Sequence, residues 1–346
     1  MRSFPITLIL PAVACLIYLA VNTAACDSGD SGDNKTGSDT GLTADVVADL
    51  KLTVDVAAET IPSDVVVEPD MPVADDNPLG PQPPAPLKPA TGDCPHFVAG
   101  TNEIVADGRK RSFELTLPPS PEHNSSVVFL WHGNGDWPKN FTTFFNAQIT
   151  ADNNGAIIVV PADCCGDNQD DCCDQSMTWN MGEFSKKEAD MALFDDILYC
   201  LEEQFDINNK RVYTSGFSAG SLWSTYLVLN RSEYLAAAVI FSGGTGLVFD
   251  YKTPDNSIPL LLAWGGPNDT FMGVVNFEQM MGDFSTNAQS DGHFIIECNH
   301  GLGHTIPYGG TNWAYEFLFM HEWGMDTSPY ETTGLSMLYP DYCSIP

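Results

Sequence analysis

Ser218 lies in Gly216-Phe217-Ser218-Ala219-Gly220. Glycines two positions to either side suit a turn so tight that only small residues fit there. Such a turn thrusts the serine above a sheet edge with a helix N-terminus behind it. Arg211-Val212-Tyr213-Thr214 before it reads as a strand and residues 219–229 after it as a helix, which is the context a nucleophile elbow needs. A serine hydroxyl attacks a carbonyl well only when a base removes its proton, so an orienting carboxylate and then a histidine should follow along the chain. Asp269 stands five residues beyond the apolar run Leu260–Trp264, in Gly265-Gly266-Pro267-Asn268-Asp269. His304 stands beyond Phe294–Ile296, in Gly301-Leu302-Gly303-His304-Thr305. Among the seven histidines His300 is the serious rival to His304, and Asp255 and Asp283 are the rival acids, each displaced from a strand end. Acyl transfer also needs donors for a developing oxyanion. Ala219 offers its backbone N–H, and Trp131-His132-Gly133-Asn134-Gly135 offers a second through Asn134 or Gly135, the choice between them open.

The elements that must carry these residues are legible as apolar runs. Val127–Trp131, Ile157–Val160, Val212-Tyr213, Ala236–Phe241, Leu260–Trp264 and Phe294–Ile296 are short and nearly continuous, the pattern of parallel strands covered on both faces. Ile104-Val105 and Phe113–Leu117 flank Asp107-Gly108 and predict a hairpin at the front. Helical stretches lie between. Ser185 with Glu188 forms a capping box ahead of a stripe of Phe194, Ile197, Leu198, Leu201 and Phe205, and Asn312–His321 carries Trp313, Phe317 and Leu318. Repeated β-α units predict an α/β sandwich around a mostly parallel central sheet.

The chain has 346 residues, enough for one core of about 250 residues. Its 14 Lys and Arg against 46 Asp and Glu leave a net charge of −32, which repels phosphate backbones and argues against nucleic-acid binding. Arg2, the interrupted apolar run Ile6–Val21 and Thr23-Ala24-Ala25-Cys26 read as an export signal over residues 1–25. Cys26 after two alanines resembles a bacterial lipobox, with Thr23 a departure from the usual aliphatic residue, so lipidation at Cys26 and plain cleavage both stand. Residues 26–93 are acidic and then Pro-rich, and predict a disordered tether ahead of a catalytic domain over 94–346. Eight cysteines remain after Cys15 and Cys26, an even number that in an exported chain favours disulfides. The doublets Cys164-Cys165 and Cys172-Cys173 fit no common zinc spacing, and the aspartates of loop 163–174 leave calcium as an alternative to a stapled acidic loop. Otherwise no cofactor or metal is expected. Five N-x-[ST] triplets occur, and a glycan at Asn268 beside the expected acid would obstruct the site, which argues for a host that does not glycosylate.

From Cys94 to the last helix the chain resembles the α/β-hydrolase family of extracellular polyhydroxybutyrate depolymerase-like and feruloyl-esterase-like enzymes. Arg111-Ser112-Phe113, Leu115-Thr116-Leu117-Pro118, His132-Gly133-Asn134-Gly135, Asp195-Asp196, the Ser218 pentapeptide, Asp269 and Gly301–Pro307 carry the likeness. Trp264-Gly265 stands where the family usually has His-Gly, and Leu222 where it has a small residue. The resemblance implies an exported serine esterase acting on polymer-borne or phenolic esters. Ser242–Ile258 is too short for a cap domain, so the cleft should be open to a polymeric or bulky ester. Trp137, Trp179 and Trp264, with Trp131 and Tyr308, are candidates to stack on substrate, and Trp137–Phe141 is the best candidate for an acyl-side wall. A monomer is expected, touching membrane only through a lipid on Cys26. A surface binder that has lost its chemistry, or a peptidase of the same fold, are the alternatives.

Overall fold

The computed structural model describes residues 84–121, 123–163, 178–181 and 189–346. The export signal, Cys26, most of the tether, the capping box at Ser185 and the cysteine doublets lie outside the described residues.

Eleven strands and seven helices are described, in the order β1 (Gly100–Ala106), β2 (Arg109–Thr116), β3 (Ser125–Trp131), α1 (Pro138–Phe144), α2 (Ala147–Asn154), β4 (Ala156–Pro161), α3 (Ala189–Gln204), β5 (Ile207–Phe217), α4 (Ala219–Arg231), β6 (Ala237–Phe241), β7 (Leu260–Trp264), β8 (Thr270–Phe271), β9 (Val275–Asn276), α5 (Phe277–Ser290), β10 (Ile295–Asn299), α6 (Gly310–Phe319), α7 (Pro329–Thr333) and β11 (Cys343–Ser344). Nine strands form one sheet in the order β1-β2-β4-β3-β5-β6-β7-β10-β11, and β8 and β9 pair as a separate hairpin. The six strands from β4 to β10 run parallel, with the antiparallel β1-β2 hairpin at one edge and β11 at the other. This is the mostly parallel α/β sandwich that the apolar runs predict. Among the described residues no domain is inserted between β6 and β7.

The burial pattern follows from position in the sheet. Every residue of β3, β4, β6 and β7 is buried, because helices cover both faces, whereas β1 alternates buried with exposed at a half-solvated edge. Within the sheet, alternate side chains feed two cores. Val127, Phe129, Trp131, Leu260 and Leu262 meet α3, α4 and α5 on one face. Val128, Leu130, Leu261 and Ala263 meet α2 and α6 on the other. Cys94–Cys200 and Cys298–Cys343 form disulfides, the first fastening the start of the fold to α3 and the second fastening β11 to β10.

The fold begins before residue 94. Thr91 donates through its N–H and its hydroxyl to the two oxygens of Asp196 on α3, at 3.0 and 2.5 Å. Ala85, Leu87 and Ala90 pack on the core. The last ten residues of the expected tether are thus a strap tied to Asp196 of α3 and to Glu233 and Tyr234 beyond α4, held by hydrogen bonds and apolar contacts that a composition count does not reveal.

Candidate active site

Strand order reverses at β3: the chain goes outward to β4, then crosses back to β5 on the other side. In an open parallel sheet the loops at such a switch point diverge and leave a crevice at the strands' C-terminal ends. Loop 132–137 after β3 and the turn after β5 flank that crevice. Ser218 occupies the turn as N-cap of α4, with φ 57° and ψ −121°, a backbone conformation that costs a non-glycine residue on the order of 1–3 kcal/mol. Surrounding contacts hold it there: Ser218 N–H donates to Phe241 O at 3.0 Å, and Ser218 O accepts from Ser221 and Leu222 N–H at 2.9 Å each. The flanking glycines are required by close approach. A Cβ on Gly216 would lie 2.3 Å from Gly220 O, and one on Gly220 would lie 2.0 Å from Trp131 O.

Past the end of β7, a 3-10 turn over Gly266–Asn268 delivers Asp269, which is wholly buried. Its carboxylate is held from three sides. Oδ2 accepts from Ser242 Oγ at 2.7 Å and from Gly265 N–H at 2.8 Å, and Oδ1 lies 2.6 Å from His304 Nδ1. The loop carrying His304 leaves β10 and closes against the β7 turn, Gly303 N–H donating to Gly265 O at 3.0 Å. Gly265 has to be glycine because a Cβ would meet Gly303 O at 1.9 Å. His304 Nε2 lies 2.8 Å from Ser218 Oγ. With Nδ1–H donated to the carboxylate, Nε2 presents its lone pair to the serine hydroxyl, the arrangement in which an imidazole can take that proton.

The rival residues are engaged elsewhere. His300 accepts the Leu302 N–H on Nδ1 at 3.2 Å, and burial pushes its pKa down. Asp255 and Asp283 are exposed. Ala219 begins α4, so its N–H has no partner one turn back in the helix and points toward the crevice end. On the other wall Gly133 approaches the serine closely enough that an added Cβ would sit 3.5 Å from Ser218 Cβ. Asn134 and Gly135 follow, both exposed, with Asn134 Oδ1 taking the Thr178 hydroxyl at 2.6 Å.

The aromatic candidates divide. Trp137 is 56% exposed at the start of α1, and Tyr308 is fully exposed. Trp179 and Trp264 do not offer a stacking face: they are 1% and 8% exposed and belong to the core. Trp179 packs edge-on against Trp131 and donates its indole N–H to His132 O at 3.0 Å, so it braces the loop after β3. The wall expected from Trp137–Phe141 is present in part. Asn140, Phe141 and Phe144 line a cavity of about 520 Å³ with Phe217, Thr305 and Ile306, the close chain neighbours of Ser218 and His304.

Several contributors carry no motif in the sequence. Ser242, with φ 55°, is fixed by its N–H to Ala263 O at 2.8 Å and is one of three donors to Asp269. Phe217 and Phe277 stack on opposite sides of the His304 ring, with centroids 4.8 and 4.6 Å away. Arg111 and Asp190, both buried, pair at 2.6 Å, and Asp190 also takes the Asn180 N–H at 2.6 Å, which pins residues 178–181 beneath the loop.

A mostly parallel sheet, without a cap among the described residues, with a serine turn after β5, an acid after β7 and a histidine after β10 defines an α/β-hydrolase. Residues 105–288 match the Esterase family, and the chain belongs to it. The bifunctional acetylxylan esterase/xylanase XynS20E of Neocallimastix patriciarum is 24% identical over 175 residues, 51% of this chain. The match spans 23% of that protein's length. Native pOPH superposes with a TM-score of 0.59 at 19% identity, covering 73% of this chain and 97% of that one. Native sOPH gives 0.58 at 19%, covering 75% and 97%. These two likenesses are of fold.

Proposed function

We propose that the chain hydrolyses esters through an acyl-enzyme on Ser218. The observation that carries this reading is the hydrogen-bonded run Ser218–His304–Asp269, at 2.8 and 2.6 Å, at the C-terminal ends of the parallel strands. Ser218 Oγ attacks the ester carbonyl carbon, and its proton passes to His304 Nε2 while the carbonyl π pair moves onto oxygen. The Ala219 N–H and one from Asn134 or Gly135 receive that charge. Collapse breaks the ester C–O bond, and the leaving alcohol takes the proton from His304. Water then repeats the sequence on the acyl-enzyme, releasing the acid and restoring Ser218. Asp269, buried and triply hydrogen-bonded, holds the imidazole in its working tautomer.

The substrate we assign is a bulky or polymer-borne ester, polyhydroxyalkanoate-like or feruloyl- or acetyl-substituted polysaccharide. The cavity beside Phe217 favours it, and the acetylxylan esterase activity named for the relative agrees. Export is supported by the two disulfides, since such bonds persist in oxidising compartments. We place the chain outside the cell or on its surface as a monomer, its domain on a tether that either ends in a lipid on Cys26 or is released by cleavage after Ala25.

An alkyl fluorophosphonate should label Ser218 in the intact protein. Ser218→Ala should abolish labelling and lower hydrolysis of p-nitrophenyl esters by at least about 10³-fold. Parental rates in that variant overturn the assignment. Release of acid from polyhydroxyalkanoate film, feruloylated arabinoxylan and acetylxylan then ranks the substrates.

A further inference from the structure

We propose that Phe217 and Phe277 are positioning residues that hold the His304 imidazole in one plane and support its positive charge while it carries the serine proton. This rests on the acyl-enzyme reading above. The two phenyl rings lie 29° and 11° from parallel to the imidazole, so both of its π faces are covered while its edges stay free for Asp269 and Ser218. Rotation of the imidazole about its own side-chain bond would drive it through one of the phenyl rings. The pair is set by the backbone at both ends. Phe217 is the residue immediately before the nucleophile, wedged against Gly133, whose added Cβ would lie 3.4 Å from Phe217 Cδ1. Phe277 is 2% exposed at the start of α5, and its N–H donates to the carbonyl of Asp269 itself at 3.0 Å. One ring is therefore tied to the nucleophile and the other to the acid. When Ser218 attacks, the proton arriving on Nε2 makes an imidazolium between two electron-rich faces, a cation–π contact on each side. That support exists only while His304 is charged, so it lowers the barrier without changing how substrate binds.

The test is Phe277→Leu beside Phe277→Tyr in the full chain, since Phe277 does not line the substrate cavity. Phe277→Leu keeps an apolar side chain and removes the π face. It should reduce kcat on a p-nitrophenyl ester about tenfold, close to 1.4 kcal/mol of barrier, with KM within about twofold. The second-order rate of fluorophosphonate labelling should fall in parallel, while the final labelled fraction stays complete and so reports a folded site. Phe277→Tyr restores the ring and should return both rates to within about twofold of the parent. A Leu variant with parental rates, or a Tyr variant as slow as Leu, overturns the inference while leaving the function intact. A parent whose Ser218 does not react overturns the function and this inference with it.

Discussion

Asp269, the proposed catalytic acid, shows how much of a side chain's behaviour is decided by groups the sequence does not advertise. A fully buried carboxylate is costly unless its oxygens are satisfied. Here the backbone of Gly265 and the hydroxyl of Ser242 share that duty with His304. Ser242→Ala leaves Oδ2 with one donor instead of two, so the carboxylate both loses stability and gains freedom to turn from the imidazole. We expect kcat to fall about tenfold and KM to stay within about twofold, read from steady-state kinetics on a short ester. An unchanged kcat would show that Gly265 suffices. The residues proposed to make and break bonds were legible, because Ser218, Asp269 and His304 each sit in a short glycine-rich string after an apolar run. Ser242, Phe217 and Phe277 were not, since they act only through side chains brought near by the fold.

At the scale of elements, the glycines at the α4 N-terminus are where helix, β5 and β3 come closest. In Gly220→Ala the new methyl meets the Trp131 carbonyl, a backbone atom at the end of a buried strand that cannot retreat. The variant should lose more than ~3 kcal/mol in urea denaturation and should label poorly with fluorophosphonate. A normal urea midpoint would mean that β3 and α4 separate more easily than their packing implies. The central strands were readable because burial on both faces makes them continuously apolar. Helix α2, Ala-Gln-Ile-Thr-Ala-Asp-Asn-Asn, has no apolar stripe and is held by its contact with β4, so nothing in its own sequence announces it. Helix α5 does carry a stripe, Phe277, Met280, Met281, Phe284 and Ala288, but it follows a hairpin of two-residue strands too short to leave a period. Trp179 and Trp264 illustrate the converse: aromatic residues beside a site are as readily spent on packing as on substrate.

For the molecule as a whole, buried neutral histidines set the response to acid. His321 is fully buried between Phe317 O, 2.7 Å from Nδ1, and Ser328 Oγ, 2.8 Å from Nε2, and burial pushes its pKa down to about 4. In the unfolded chain it returns to about 6.5. Between these values the unfolded state binds the extra proton, so stability falls as pH drops through that window. Lowering pH from 7.5 to 5 should cost about 2 kcal/mol in urea denaturation from this residue, and His321→Gln should flatten the slope. His293 and His300 are shifted down by burial in the same sense, so the slope is reduced and not abolished. A parent with equal stability at the two pH values would contradict this account.

The strap tied to α3 fixes where an endoprotease working inward along the chain would run out of susceptible peptide. Cleavage at 94 takes Thr91 from Asp196, whose carboxyl burial already pushes up, and bares the surface under Leu87. Limited digestion should therefore leave a fragment beginning near 84. A version beginning at 94 should melt several degrees lower, and any spacer ahead of the fold ends ten residues short of what the composition suggests.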